Sequence, residues 1–172
     1  NEAGYELLVN MPMENVSRNY GEEEYRLSSS MSIEKMWEKL DNAFIENPFA
    51  IGMINHQGSN YLKSFRLMKS FSSELNQLNK FLIIHNVFTA DYDTEYLHTP
   101  FGISDIILDY ENDLQAITDK VIMLSQIAKK NGFAIGIGYV KPKTLEVLQK
   151  QIPFLEDEGF HFDFVSSVLK YP

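Results

Sequence analysis

The chain has 172 residues, of which 44% are hydrophobic and 23% charged, with a formal net charge of −9. An acidic chain without a basic stripe disfavours nucleic acid and anionic membrane surfaces as partners, because phosphate recognition rests on Lys and Arg. The absence of cysteine excludes disulfides, thiolate metal sites and cysteine nucleophiles, and no apolar run of about 18 residues is present to form a transmembrane helix.

The length fits one domain spanning residues 1–172. Asn1-Glu2-Ala3-Gly4 reads as the approach to a strand, without an initiator Met or a signal sequence, so the chain is expected to be a fragment preceded by further sequence. Tyr5 to Val9 is a short apolar run, read as a buried strand stopped by Pro12. Glu14 to Ser30 is polar and aperiodic, a long loop. Ser32 has the character of an N-cap, because Ile33, Met36, Trp37, Leu40, Ala43 and Phe44 follow at helical spacing. Asn47-Pro48 closes that helix.

Phe49 to Ile54 is the next strand. Tyr61 to Leu78 is expected to be helical, its apolar face made by Leu62, Phe65, Leu67, Met68, Phe71, Leu75 and Leu78, with Ser59 as its N-cap. Phe81 to Ile84 is a strand ending at His85-Asn86, and Asp91 to Leu97 a candidate short helix. Ile103 to Leu108 reads as one strand. Leu114 to Lys130 is a helix with Asp113 as N-cap and Gly132 at its end. Phe133 to Gly138 is a strand, Lys143 to Glu158 a helix split by Pro153, and Phe160 to Val165 a last strand, with Phe160, Phe162 and Phe164 alternating. Strand followed by helix, repeated, implies a mostly parallel sheet covered by helices, open or closed into a barrel.

In such folds ligands meet the loops beyond the carboxyl ends of the strands. Glu14, Asn55, His56, Ser59, His85, Asn86, Asp105, Asp109 and Tyr139 all fall there. The string Asn55-His56-Gln57-Gly58-Ser59 is the most pointed: His56 suits a metal ligand or acid/base, although a turn histidine satisfied by backbone bonds is the commoner case. Gly58 provides for a tight turn. Asp105, Asp109, Glu111 and Asp113 form an acidic cluster that hard cations favour, but the spacing matches no calcium loop. Gly136-x-Gly138 is not a dinucleotide fingerprint.

Several strings together resemble the divergent polysaccharide deacetylase family. They are Leu7-Leu8-Val9-Asn10-Met11-Pro12-Met13-Glu14, Ala50 to Ser59 with its Asn-His-x-Gly-Ser core, Asp105-Ile106-Ile107-Leu108-Asp109 with Asp113 and Ile117, and Ala134 to Gly138 with Pro142 and Thr144-Leu145-Glu146. They run in order from near Gly4 to Leu169. The resemblance implies an α/β fold, the distorted (β/α) barrel of the NodB-like deacetylases with a mainly parallel sheet. It also implies metal-assisted removal of an N-acetyl group from an envelope or extracellular glycan. A Zn²⁺-like ion polarises the acetyl carbonyl and activates water, a base takes the water proton, and a late histidine protonates the leaving amine.

The chain departs from that pattern. The family's opening Asp-Asp pair has no counterpart after Asn1, Gly138-Tyr139-Val140 replaces "G-H-P", and His85-Asn86-Val87-Phe88-Thr89 replaces "D-S-R-T". By resemblance His56 is the metal ligand, Tyr139 and His85 are the catalytic candidates, and Glu14, Asn55, Ser59 and Asp109 are the substrate contacts. The implied cofactor is Zn²⁺ or another divalent metal, held weakly by one matched ligand, and the implied partner is a glycan or peptidoglycan-like polymer at the cell envelope, periplasmic or extracellular. The main alternative is an inactive pseudoenzyme that binds glycan or an envelope protein; a purely structural interaction module is a third. A sheet lacking its opening strands would expose an edge and apolar surface, so a homo-oligomer such as a dimer, a strand swap or poor solubility is expected.

Overall fold

In the computed structural model, which describes residues 4–15, 24–59, 61–85 and 94–172, strand and helix alternate along the chain. The order is β1 (Leu7–Met13), α1 (Ile33–Glu46), β2 (Ala50–Gln57), α2 (Phe65–Gln77), β3 (Phe81–Ile84), β4 (Phe101–Ile103), β5 (Ile106–Ile107), α3 (Leu114–Asn131), β6 (Gly136–Ile137) and α4 (Pro142–Asp157). The class is α/β with a mainly parallel sheet, as the alternation predicts. The strands form two sheets rather than the single one expected: a four-stranded sheet in the order β1-β2-β3-β4 and a two-stranded β5-β6 pair. Two compact units result, Asn1–Gly102 with Leu169–Pro172, and Ile103–Val168.

In the first unit β1 pairs with β2 and β2 with β3, all parallel, so Pro12 lies opposite His56 and Met13 opposite Gln57. Pro12 does not stop β1. Its carbonyl accepts Leu27 N at 2.9 Å, and Glu14 N donates to Leu27 O at 2.8 Å. Residue 12 therefore faces the outer edge, where its missing N–H costs the β1–β2 ladder nothing. The stretch expected to be a long loop thus contributes a bridge at Leu27; residues 16–23 lie outside the described residues.

Helix α1 begins at Ser32, whose Oγ accepts Lys35 N at 3.2 Å, and ends where Asn47 N and Nδ2 both reach Ala43 O. Met36, Leu40 and Phe44, four residues apart, are its buried side. Helix α2 starts at Phe65, later than expected, because a turn precedes it, with Leu62 N on Gly58 O and Ser64 N on Tyr61 O. Ser64, not Ser59, stands at the N-cap position. Leu67, Met68, Phe71 and Leu75 are buried on one side of α2, and each such side chain contributes about 1.5–3 kcal/mol on leaving water.

The run Ile103 to Leu108 is not one strand. It breaks at Ser104-Asp105 into the end of β4 and the start of β5, which belong to different sheets. Phe101 of β4 exchanges both backbone bonds with Lys170. The candidate helix at Asp91 to Leu97 begins outside the described residues, and its described part is a turn with Leu97 N on Thr94 O.

In the second unit the core is Ile106, Leu108, Ile117, Val121, Val147 and Leu155, flanked by Leu124, Ile127, Leu148 and Phe160. Asp113 caps α3, its Oδ1 accepting Gln115 N at 2.9 Å and Ala116 N at 3.0 Å. Gly132 closes the helix in the left-handed region at φ +89°. Pro153 does not split α4: Thr144, Val147 and Leu155 are buried on both sides of it, while Pro153 and Gln149, four residues earlier, are exposed. The carbonyl freed by the missing N–H therefore lies on the solvent side. The last expected strand is also absent. Residues 160–164 have no ladder partner among the described residues and lead into a 3-10 turn, Val165–Val168. Phe162 and Phe164 alternate but stay half exposed.

Candidate functional site

The carboxyl ends of β1, β2 and β3 open on one rim, because the three strands are parallel and in register. Glu14 follows β1, His56 and Gln57 end β2, and His85 follows β3. Asn55 ties this rim together. It is fully buried, its Oδ1 accepts His85 N at 2.7 Å, and its Nδ2 donates to Gln57 O at 2.6 Å and to His85 O at 3.4 Å. One amide thus fixes where β3 ends and how β2 turns. The turn is demanding: Gln57 has φ 62° and Gly58 φ 102°, left-handed values that a non-glycine residue holds only under support. A Cβ at Gly58 would lie 3.0 Å from Met13 Cβ, so glycine is required there for space as well as for conformation.

This turn brings two imidazoles into electrostatic contact. His85 is buried, and its Nε2 has no hydrogen-bond partner. Burial holds its pKa below the ordinary histidine value, and the neighbouring His56 lowers it further, so His85 is neutral at pH 7. His56 is half-buried. Ser59 is buried and its Oγ donates to Asn15 Oδ1, which joins the ends of β1 and β2. Glu14 accepts Ser29 N and Ser28 Oγ on Oε2. Hydrogen bonds from Ser29 hold its carboxyl below the usual carboxylate range, helped by Ser28 and by the charge of Arg26.

The second unit presents its own strand ends. Asp109 follows β5 and is fully buried. Its Oδ2 accepts Tyr139 N at 2.9 Å and Thr144 Oγ1 at 2.9 Å, and Lys141 Nζ lies 3.6 Å away. Asp109 Oδ1 is buried without a partner. Asp105 does the same at the other end of the pair, accepting Ile135 N at 2.8 Å. Three members of the acidic cluster read from the sequence thus resolve into two clamps on the β5–β6 ladder and, at Asp113, a helix cap. Tyr139 is half exposed, with Lys141 Nζ 5.1 Å from its ring centroid.

Imidazoles are the right kind of donor for Zn²⁺, but zinc sites use at least three protein ligands. Among the described residues no three His, Asp or Glu side chains converge to hold a metal. The described donor set does not by itself fit the implied ion. Asn86 and the residues after it, to position 93, lie outside the described residues.

Two residues escaped the sequence reading. Tyr61 is fully buried in the turn after β2, with its Oη 2.7 Å from Met36 Sδ and its ring edge-on to Phe71; burial pushes its pKa up. Arg26 precedes the Leu27 bridge, with Nη1 buried and unpartnered. Neither lies in a pattern that separates it from a core aromatic or a loop cation.

The model of the divergent polysaccharide deacetylases matches residues 1–169. The chain belongs to this family. Among curated proteins it is similar to the uncharacterised protein YibQ of Escherichia coli K12, 24% identical over 154 residues, which covers 87% of this chain and 48% of that protein. An uncharacterised protein of Haemophilus influenzae Rd is 26% identical over 159 residues, 90% of this chain and 56% of that one. The chain therefore spans about half the length of the curated relatives it matches. A crystal structure of an uncharacterised protein from Agrobacterium tumefaciens C58 superposes with a TM-score of 0.88 at 19% identity, over 97% of this chain and 70% of that one, and so shares the fold. No helix among the described residues of this family member is long and apolar enough to cross a membrane.

Proposed function

We propose that this domain acts on an N-acetylated glycan of the cell envelope, as a hydrolase that removes the acetyl group. The observation that carries the reading is the rim built by Asn55: a half-buried His56 and a neutral, buried His85 with a free Nε2, at the strand ends of a deacetylase-family chain. Amide hydrolysis needs a water made nucleophilic and a proton delivered to the leaving amine. A neutral imidazole such as His85 can accept the proton from water. His56 is the proposed first ligand of a divalent metal. Its affinity should fall as pH drops through the histidine range, because a protonated imidazole cannot ligate. Glu14, Asn55 and Ser59 hold the strand ends of the first unit that would frame the sugar.

A second reading, glycan binding without hydrolysis, is favoured by a specific pair of facts. Tyr139 stands where the resemblance places a histidine, and a phenol near pKa 10 is a poorer proton donor at neutral pH than an imidazolium. Asp109 Oδ2 is already engaged by Tyr139 N, Thr144 and Lys141. One experiment separates the two: acetate release from N-acetylated chito-oligosaccharides with added Zn²⁺, beside calorimetric binding of the same sugars. Release that is lost in His56→Ala supports hydrolysis. Binding without release supports the second reading, and neither binding nor release would refute both.

A further inference from the structure

The mechanism leaves unused an aromatic pair on the first unit. Phe65 is the first residue of α2, and Tyr96 lies in the segment before β4. Their rings meet at 76° with centroids 4.0 Å apart. Phe65 is 50% and Tyr96 36% exposed, so the corner they make faces outward. Burial elsewhere in α2 goes to Leu67, Met68, Phe71 and Leu75; Phe65 is not part of that packed side.

The pair is held in place. Leu97, next to Tyr96, is buried, and His98 N donates to Ser72 Oγ of α2 at 3.1 Å. The segment is thereby fastened along the helix, and Tyr96 is set beside Phe65. Lys69, one turn further on, carries its ammonium 5.9 Å from the Phe65 ring centroid. The location is the second observation. Only a short turn separates His56, near the carboxyl end of β2, from Phe65 at the start of α2.

We propose that Phe65 and Tyr96 form a stacking platform for a sugar ring of the glycan, next to the His56–His85 rim. This inference rests on the glycan reading above and adds a subsite to it. A pyranose presents a face of axial C–H bonds that packs on an aromatic ring, while its hydroxyls stay in water or meet a cation such as Lys69. A polymer necessarily extends past the acetyl group being handled, and binding its neighbouring ring is how remote contacts serve a reaction centre. Two rigid aromatics fixed at an angle order few side-chain torsions when the sugar arrives. The platform should therefore discriminate by length, helping a tetrasaccharide and leaving the monosaccharide unaffected.

The test is calorimetry on this chain with N-acetylglucosamine and its β-1,4-linked tetramer. Phe65→Leu and Tyr96→Leu keep apolar bulk but remove the ring face, and circular dichroism verifies their fold. Phe65→Trp is the conservative rescue. The expected result is about ten-fold weaker tetramer binding in each leucine variant, unchanged monomer binding, and recovery in Phe65→Trp. Tetramer affinity equal to wild type in folded leucine variants would overturn the platform while leaving the glycan reading intact. A wild-type chain that binds neither sugar would overturn both. If both leucine variants fail to fold, Phe65→Tyr and Tyr96→Phe keep the rings, and a ten-fold loss of tetramer binding in either would count against stacking as its basis.

Discussion

Asn55→Ala should be the most costly single change on the rim of the first unit. The side chain is fully buried and makes two short bonds to backbone groups, Oδ1 from His85 N at 2.7 Å and Nδ2 to Gln57 O at 2.6 Å. Alanine strands both groups away from water. An unsatisfied buried polar group costs about 1–3 kcal/mol, so two of them cost roughly 2–6 kcal/mol, a large share of the about 5–15 kcal/mol that stabilises a typical domain. The single tryptophan, Trp37 in α1, reports on this unit alone. With a urea slope of about 2 kcal/mol per molar, the fluorescence midpoint should fall by roughly 1–3 M. Asn55→Asp keeps an acceptor for His85 N but sets a carboxylate oxygen against Gln57 O, and should also be destabilised. Amide exchange at His85 should speed up in both variants. A midpoint within about 0.3 M of wild type in Asn55→Ala would refute the claim that this amide holds the rim together.

The His85 shift fixes a pH dependence. Its pKa is lowered in the folded state by burial and by His56, so below about pH 6.5 the unfolded chain binds the extra proton first. Stability is complete above that pH and is lost as pH falls toward the lowered folded value; His85→Gln should flatten this part of a denaturation profile measured from pH 8 to 5. Gly58→Ala, which forces a side chain into φ 102° and 3.0 Å from Met13 Cβ, should cost about 1–3 kcal/mol in the Trp37-monitored urea transition. Thr144→Val removes the hydroxyl that donates to Asp109 Oδ2 at 2.9 Å and should cost about 1.5–3 kcal/mol, the value of a bond to a charged group, read as faster amide exchange at Tyr139.

The strands β1 to β3 and the four helices were legible because each carries its own periodicity, and α1 and α3 also carry caps, where Ser32, Asp113 and Gly132 all act as read. The errors share a cause. Phe160, Phe162 and Phe164 alternate as a strand does, but alternation says nothing about whether a partner strand lies alongside, and here none of the described residues supplies one. Pro12 reads as a stop in the sequence because the side of the sheet it faces is set by pairing with Leu27, not by its neighbours. In the site, the strand-end rule brought out His56 and His85. What holds them, Asn55, depends on a bond across 30 residues. The same separation hides the partners of Asp105 and Asp109, so a pair of clamps reads in the sequence as a metal-loving cluster.

Those two aspartates bear on how the second unit folds. A ladder of two residues per strand, Ile106 with Gly136 and Ile107 with Ile137, has almost nothing to forbid a slip by one position, and such a slip would reverse the faces of every side chain in it. Asp105 on Ile135 N and Asp109 on Tyr139 N sit four residues apart on one strand and meet amides four residues apart on the other. Any slipped alignment loses both contacts at once. The clamps act as a check on alignment that is satisfied by only one arrangement. They can close only after α3 has folded back between the strands, so they belong to the late part of assembly. Weakening them should hasten unfolding far more than it slows folding.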